Sequence, residues 1–302
     1  MQIVERRSCA LGSEVSMAAL HEQRAAAEAA LEAAFAELDT VERVMSIYRR
    51  ESELCRLNRD GSLDHPHAYL VQVLQTAQAM SERSGGAFDV TVQPLWELFA
   101  AAQKQGRLPD GGEIEAARRK VDWRRVEVSA QRVRLLGQGT AVTLNGIAQG
   151  FACDRALAAL QARGIAHALV NSGELGSLGR KARGEPWKVG IQHPRRPDAF
   201  AAVLNLDGRC LSTSGDYATT FSPDFVNHHI FDPATGRSPV VFSSVSVLTP
   251  SCTEADALST AVFVAGLERG FELLESTART DALLIAKDGA TRATKGFPLA
   301  EG

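Results

Sequence analysis

Two imidazoles, a carboxylate and a hydroxyl crowd into His228-His229-Ile230-Phe231-Asp232-Pro233-Ala234-Thr235-Gly236. They stand just before and within a turn that Asp-Pro and Thr-Gly punctuate. Such a set can bind phosphate, transfer a proton or support a metal, and a core strand has no need of it. A second chemical pair is Asp256 and Thr260. Four residues apart on a helix, they put a carboxylate and a hydroxyl on one face, and two hard oxygens suit Mg²⁺ completed by carbonyls, water or phosphate. The plainer reading is a helix-start Asp favoured by the dipole and a Thr bonded back to its own helix.

Several small-residue polar segments accompany these. Gly85-Gly86-Ala87-Phe88-Asp89-Val90-Thr91-Val92 joins a helix end to what reads as an alternating strand, with Asp89 and Thr91 on one face. Asn145-Gly146-Ile147-Ala148-Gln149-Gly150 leads into a helix, where free N–H groups and the dipole favour phosphate. It matches neither standard nucleotide fingerprint. Asn171–Gly176 and Ser212–Tyr217 read as two more polar loops after strands. Each alone could be an ordinary turn. Together with the His-Asp segment they look like the wall of one polyanionic ligand site.

The elements that must position them mix helix and strand. Apolar residues at spacings of three and four predict helices over 21–45, 66–83 and 150–163. A fourth is expected from Thr253, as N-cap, to about Ala265, broken at Gly266 and resumed over 267–276. Strand-like runs are Val126–Ser129, Arg132–Leu136, Ala141–Leu144, Ala168–Asn171, Trp187–Ile191, Ala202–Leu206, Ser244–Leu248 and Ala282–Ala286. The order lacks a strict βαβ rhythm, which favours α+β. The stretch 104–119 reads as a surface excursion and residues 1–10 as an irregular tail. With no evident boundary or repeat, 1–302 reads as a single large domain.

Composition is that of a globular protein: 302 residues, 45% apolar, 23% charged. A net charge of −3 gives no reason to expect nucleic acid. Cysteines at 9, 55, 153, 210 and 252 form no C-x-x-C pair and read as free thiols, mostly buried. The N-terminus shows no apolar leader core, and no run of about 18 apolar residues predicts a transmembrane segment. As written, the expectation is cytoplasmic.

Taken in order, Gly85–Leu95, Leu144–Arg155, Leu169–Gly173, Pro186–Pro194, Ser212–Tyr217, His228–Gly236 and Ala255–Gly266 resemble the ApbE family, the FAD:protein FMN transferases. The resemblance runs from about Leu11 to the last strand. It implies an ApbE-like (T-fold-like) α+β fold of mixed sheets with packed helices, and Mg²⁺-dependent transfer of FMN from FAD to a Thr or Ser hydroxyl of a client flavoprotein, with release of AMP. It further implies that Asp256, Thr260 and a main-chain oxygen at Gly146 hold the metal. Tyr48, Ala87, Phe88, Asp89 and Phe231 fall on FAD contacts. His229, three before Asp232, falls on the family's H-x-x-D-P histidine, and these two are the expected catalytic residues, with Asp232 either orienting His229 or simply shaping the Asp-Pro turn. Leu11-Gly12-Ser13 stands where the family usually has Met-Gly-Thr, Thr143 where it has Asp, and Gln149 where Lys is frequent. All three positions are expected on the cofactor. Family clients are often respiratory electron-transfer flavoproteins, and many members are periplasmic. Hydrolysis of FAD to FMN and AMP, or flavin binding without catalysis, are the alternatives.

Overall fold

The structure, a computed structural model, describes residues 1–300. Among them an eight-stranded sheet runs β1(Gln2–Ala10), β2(Ser13–His21), β6(His167–Asn171), β7(Leu175–Leu178), β10(Cys210–Gly215), β11(Phe242–Thr249), β12(Asp281–Ala286), β13(Thr291–Ala293). Two small sheets join β3(Ser62–Asp64), β5(Arg132–Leu135) and β4(Val126–Val128), and pair β8(Trp187–His193) with β9(Arg196–Leu206). The helices are α1(Arg24–Met45), α2(Glu53–Asp60), α3(Ala68–Arg83), α4(Gln93–Lys104), α5(Gly111–Arg118), α6(Ala148–Ala162) and α7(Cys252–Glu275). This is the mixed α+β arrangement expected, and none of these helices is long and apolar enough to cross a membrane.

The main core lies between one face of the large sheet and α1, α6 and α7. In α1, Ala27, Ala30, Leu31, Ala34, Leu38 and Val41 are buried, the stripe that its period of three and four predicts. It starts at Arg24 because His21 still belongs to β2. All of β11 is buried, as suits a central strand covered on both sides. The β8–β9 hairpin covers the sheet's other face, where Trp187, Val189, Ile191 and Leu204 form a second core.

Several expectations are overturned. Residues 2–10 are not a tail: β1 pairs with β2 along its length, from Gln2↔His21 to Ala10↔Ser13. Leu11 and Gly12 take φ of 54° and 76° in the connecting turn, the positive values that a two-residue hairpin requires. Ala141–Leu144 is no strand. Its backbone bonds instead to the Asn58 amide, which donates to the Val142 carbonyl and accepts from the Val142 N–H, and Thr143 N–H donates to Val90 C=O. Val90–Val92 is a 3-10 turn rather than a strand, because Asp89 accepts from the Thr91 N–H and caps it. Within 104–119 lies α5, closed at its start by a capping box of Asp110 and Glu113. Ser212–Gly215 belongs to a strand, β10. The N-cap of α7 is Ser251, two residues before the predicted Thr253, while Gly266 does interrupt that helix at φ 77°. Cys210 and Cys252 are not free thiols but a disulfide, with Cα atoms 4.9 Å apart.

Candidate functional site

The site is built where α6, α7 and β10 meet. Asp154 on α6 caps α7: its carboxylate accepts from Cys252 N, Thr253 N and the hydroxyls of Ser251 and Thr253 at 2.6–2.9 Å. Gly150 permits the close crossing. A Cβ there would stand 2.3 Å from the Cys252 carbonyl oxygen and 2.7 Å from Asp256 Cβ. The same approach lets Gly150 N–H donate to Asp256 Oδ2 at 2.9 Å, fixing that carboxylate at the mouth of α6. β10 packs on α7 through hydroxyls: Ser214 Oγ lies 2.8 Å from Ser259 Oγ and 3.0 Å from Thr260 Oγ1. That partnership explains why a run of small polar residues is a buried strand and not a loop.

A cavity of about 190 Å³ opens here. Ala87, Phe88, Asp89, Thr143, Gly146, Gln149, His229, Phe231, Asp256 and Thr260 all line it, so ten of the residues predicted from sequence converge. Leu11, Tyr48 and Asp232 do not line it. Leu11 lies in the β1–β2 turn, packed on the main core, and Tyr48 is 71% exposed. Asp232 makes its turn: Oδ1 accepts from Ala234 N–H at 2.9 Å and Oδ2 from Thr235 hydroxyl at 3.0 Å, leaving it no bond to His229. Asp89 is on the wall, yet its carboxylate is occupied by Thr91 and the Trp123 N–H. Phe231 is buried with Phe99 and Phe221 in a small aromatic cluster.

The two histidines divide their work. His228 is fully buried, its Nε2 donates to Pro239 C=O at 3.0 Å, and its Nδ1 accepts from Ile230 N–H. Both nitrogens therefore serve the scaffold, and burial drives its pKa down to about 4. His229 sits half-buried on the cavity wall. Its Nδ1 lies 3.2 Å from the Thr219 carbonyl oxygen, which can only accept, so Nδ1 carries the hydrogen. Desolvation lowers its pKa, which keeps the ring neutral and Nε2 free as a proton acceptor.

Sequence reasoning passed over Glu174 and Trp96, which also line the cavity. Glu174 is 7% exposed and its pKa is raised by burial and then by the Asp256 charge. The only signal for it was an acidic residue inside a small polar turn. Asp256 is pushed up to about 7 by burial. Among the described residues, neither carboxyl forms an ion pair with Lys, Arg or His. Gly146 brings its backbone against Thr260, a Cβ there lying 3.1 Å from Thr260 Oγ1. The donor set is therefore oxygen only, its buried carboxyl is one whose ionised form a bound cation would stabilise, and it fits a hard divalent cation such as Mg²⁺.

The ApbE family model matches residues 11–284. The chain belongs to the ApbE family. Among its relatives, the FAD:protein FMN transferase of Treponema pallidum is 33% identical over 92% of this chain and 83% of its own length. That of Salmonella typhimurium is 30% identical over 84% and 75%. The Thermotoga maritima ApbE crystal structure superposes with a TM-score of 0.86 at 29% identity, covering 97% of both chains. The Vibrio cholerae flavin transferase ApbE gives 0.83 at 26% identity over 97% and 96%. The ApbE fold thus accounts for nearly the whole chain.

Proposed function

We propose that this ApbE-family protein is a Mg²⁺-dependent FAD:protein FMN transferase. The observation that carries the reading is one cavity holding both the oxygen cluster of Asp256, Thr260 and Gly146 and an imidazole whose Nε2 is free. The names of its relatives support FAD as substrate. At about 190 Å³ the cavity is smaller than the roughly 300 Å³ of ordinary ligand pockets. FAD would therefore extend beyond its mouth.

Asp256, Thr260 and the Gly146 carbonyl would hold Mg²⁺. A bound Mg²⁺ would polarise the pyrophosphate and neutralise charge on the departing phosphate. His229 would accept the proton of the client's Thr or Ser hydroxyl at Nε2 as that oxygen bonds to the FMN phosphorus. The phosphoanhydride bond breaks and AMP leaves. Thr219, by taking Nδ1–H, holds the tautomer this step needs. Gln149 and Thr143, on the wall, would contribute hydrogen bonds where a charged pair is usual in the family.

The client is expected to be a respiratory electron-transfer flavoprotein. The buried Cys210–Cys252 disulfide supports folding in an oxidising compartment, hence the periplasmic rather than the cytoplasmic location. The deciding experiment mixes the protein with FAD, Mg²⁺ and a candidate client. A covalent FMN mass on a client Thr or Ser, with one AMP released per adduct, is the expected result. Equal rates of FMN and AMP release with and without client would replace transfer by hydrolysis.

A further inference from the structure

Beyond the cavity, one charged cluster is buried for no purpose that the reaction above uses. Asp216 is fully buried. Arg195, at the tip of the β8–β9 hairpin, grips it with two hydrogen bonds of 2.7 Å. Lys287, just past β12, adds a third contact at 2.6 Å. Arg195 also donates to Ser243 Oγ at 3.2 Å and stacks over Phe225 at 4.1 Å. Lys287 Nζ donates in addition to the Phe225 carbonyl. Burying one carboxylate with two cations is costly, and apolar packing would hold these segments together as well. What the charges add is directional constraint.

Their geometry shows what is constrained. Asp216 begins the segment that leaves β10, and Phe225 lies on the irregular leg returning toward His229. A single ammonium joins the two legs. Between them the chain closes on itself through the Thr220↔His228 bridge. Directly flanking that bridge, Thr219 C=O accepts from both the backbone N–H and Nδ1 of His229, at 3.1 and 3.2 Å. The clamp therefore ends on the one hydrogen bond that selects the His229 tautomer. From this we infer that Arg195, Asp216 and Lys287 are positioning residues for His229: they hold the 216–228 segment so that Thr219 keeps Nδ1–H and Nε2 faces the cavity. The inference rests on the catalytic reading of His229.

The test compares Lys287→Met with Lys287→Arg in the full chain. The first leaves the Arg195–Asp216 pair to hold the fold, and the second restores the charge. Two quantities are read: the ring-nitrogen signature of His229 by long-range ¹H–¹⁵N NMR, and kcat and KM for FAD in FMN transfer. The wild type is expected to show the Nδ1–H tautomer. Lys287→Met should mix the tautomers and lower kcat by about tenfold or more with KM little changed, because small displacements of a catalytic group are costly. Lys287→Arg should recover most of both. Asp216→Asn, isosteric but uncharged, should repeat the Lys287→Met result. If these variants lose only melting temperature, with ring signature and kcat as in the wild type, the cluster is merely structural and the inference is wrong. A wild type with the expected signature, altered in Lys287→Met, but no FMN transfer would sink the functional reading and leave the clamp standing.

Discussion

At the scale of single residues, chemistry is divided by what each nitrogen and oxygen is already bonded to. His229 keeps one nitrogen free and His228 keeps none. Replacing His229 by Gln should lower FMN transfer by about 10²- to 10⁴-fold, the usual worth of a general base, with FAD affinity changed little. A rate within a few fold of wild type would remove His229 from the reaction. His228 carries a different expectation. Its folded pKa of about 4 lies below its ordinary 6.5, so the unfolded chain takes up the proton first on acidification. Its contribution is complete above pH 6.5 and is lost as pH falls from there toward 4. The stability advantage of wild type over His228→Gln should therefore shrink by about 2 kcal/mol between pH 7 and pH 5. Denaturant titrations of both proteins at the two pH values check this, and an unchanged gap would contradict it. The spacing of Asp256 and Thr260 offered an oxygen pair, and it was the resemblance to the ApbE family that singled out that pair and His229 over His228. The sequence left Asp232 between orienting His229 and shaping the turn, and only the folded structure shows that both its oxygens close the turn.

At the scale of elements, the site depends on how closely α6 approaches α7 and how β10 is tied to both. Gly150→Ala places a methyl group against the Cys252 carbonyl and must separate the helices. A loss of about 1–3 kcal/mol is expected from such overpacking. Because the Gly150 N–H bond to Asp256 goes with it, weaker Mg²⁺ binding should follow, as calorimetry would measure. Stability lost without any change in Mg²⁺ affinity would show that Asp256 is oriented otherwise. The Cys210–Cys252 bond joins the start of β10 to the start of α7 across a separation of 42 residues. A loop of that length corresponds to about 4 kcal/mol in the chain-entropy view. Alkylation of the unfolded, unreduced protein should label Cys9, Cys55 and Cys153 and spare Cys210 and Cys252, and reduction should lower the denaturation midpoint. Labelling of all five would refute the bond. The helices were legible because their apolar period is local. Ala141–Leu144 read as a strand because its composition is strand-like, whereas its actual partner is the Asn58 side chain, 84 residues away.

At the scale of the molecule, the eight-stranded sheet is the frame against which α1, α6 and α7 stack the site. β1 covers the outer edge of β2, so deletion of residues 1–10 would expose a row of unpaired backbone groups. A lower melting temperature and concentration-dependent association are expected, measurable by size-exclusion chromatography. A truncated protein that stays monomeric at full stability would argue against that role. β1 escaped sequence detection because, of its nine residues, only Val4 is buried, and an exposed edge strand carries no alternation to read. The sequence alone determined the α+β class, the long helices, the family motifs in their order, and most of the residues that line the cavity, because those depend on residue type and local spacing. The tertiary structure decided which carboxylates face the cavity, which histidine is free, which cysteines pair, and that Asp216 is clamped behind the His229 segment. Each of those depends on a partner brought close by folding from a distant part of the chain, and no local pattern encodes that partner.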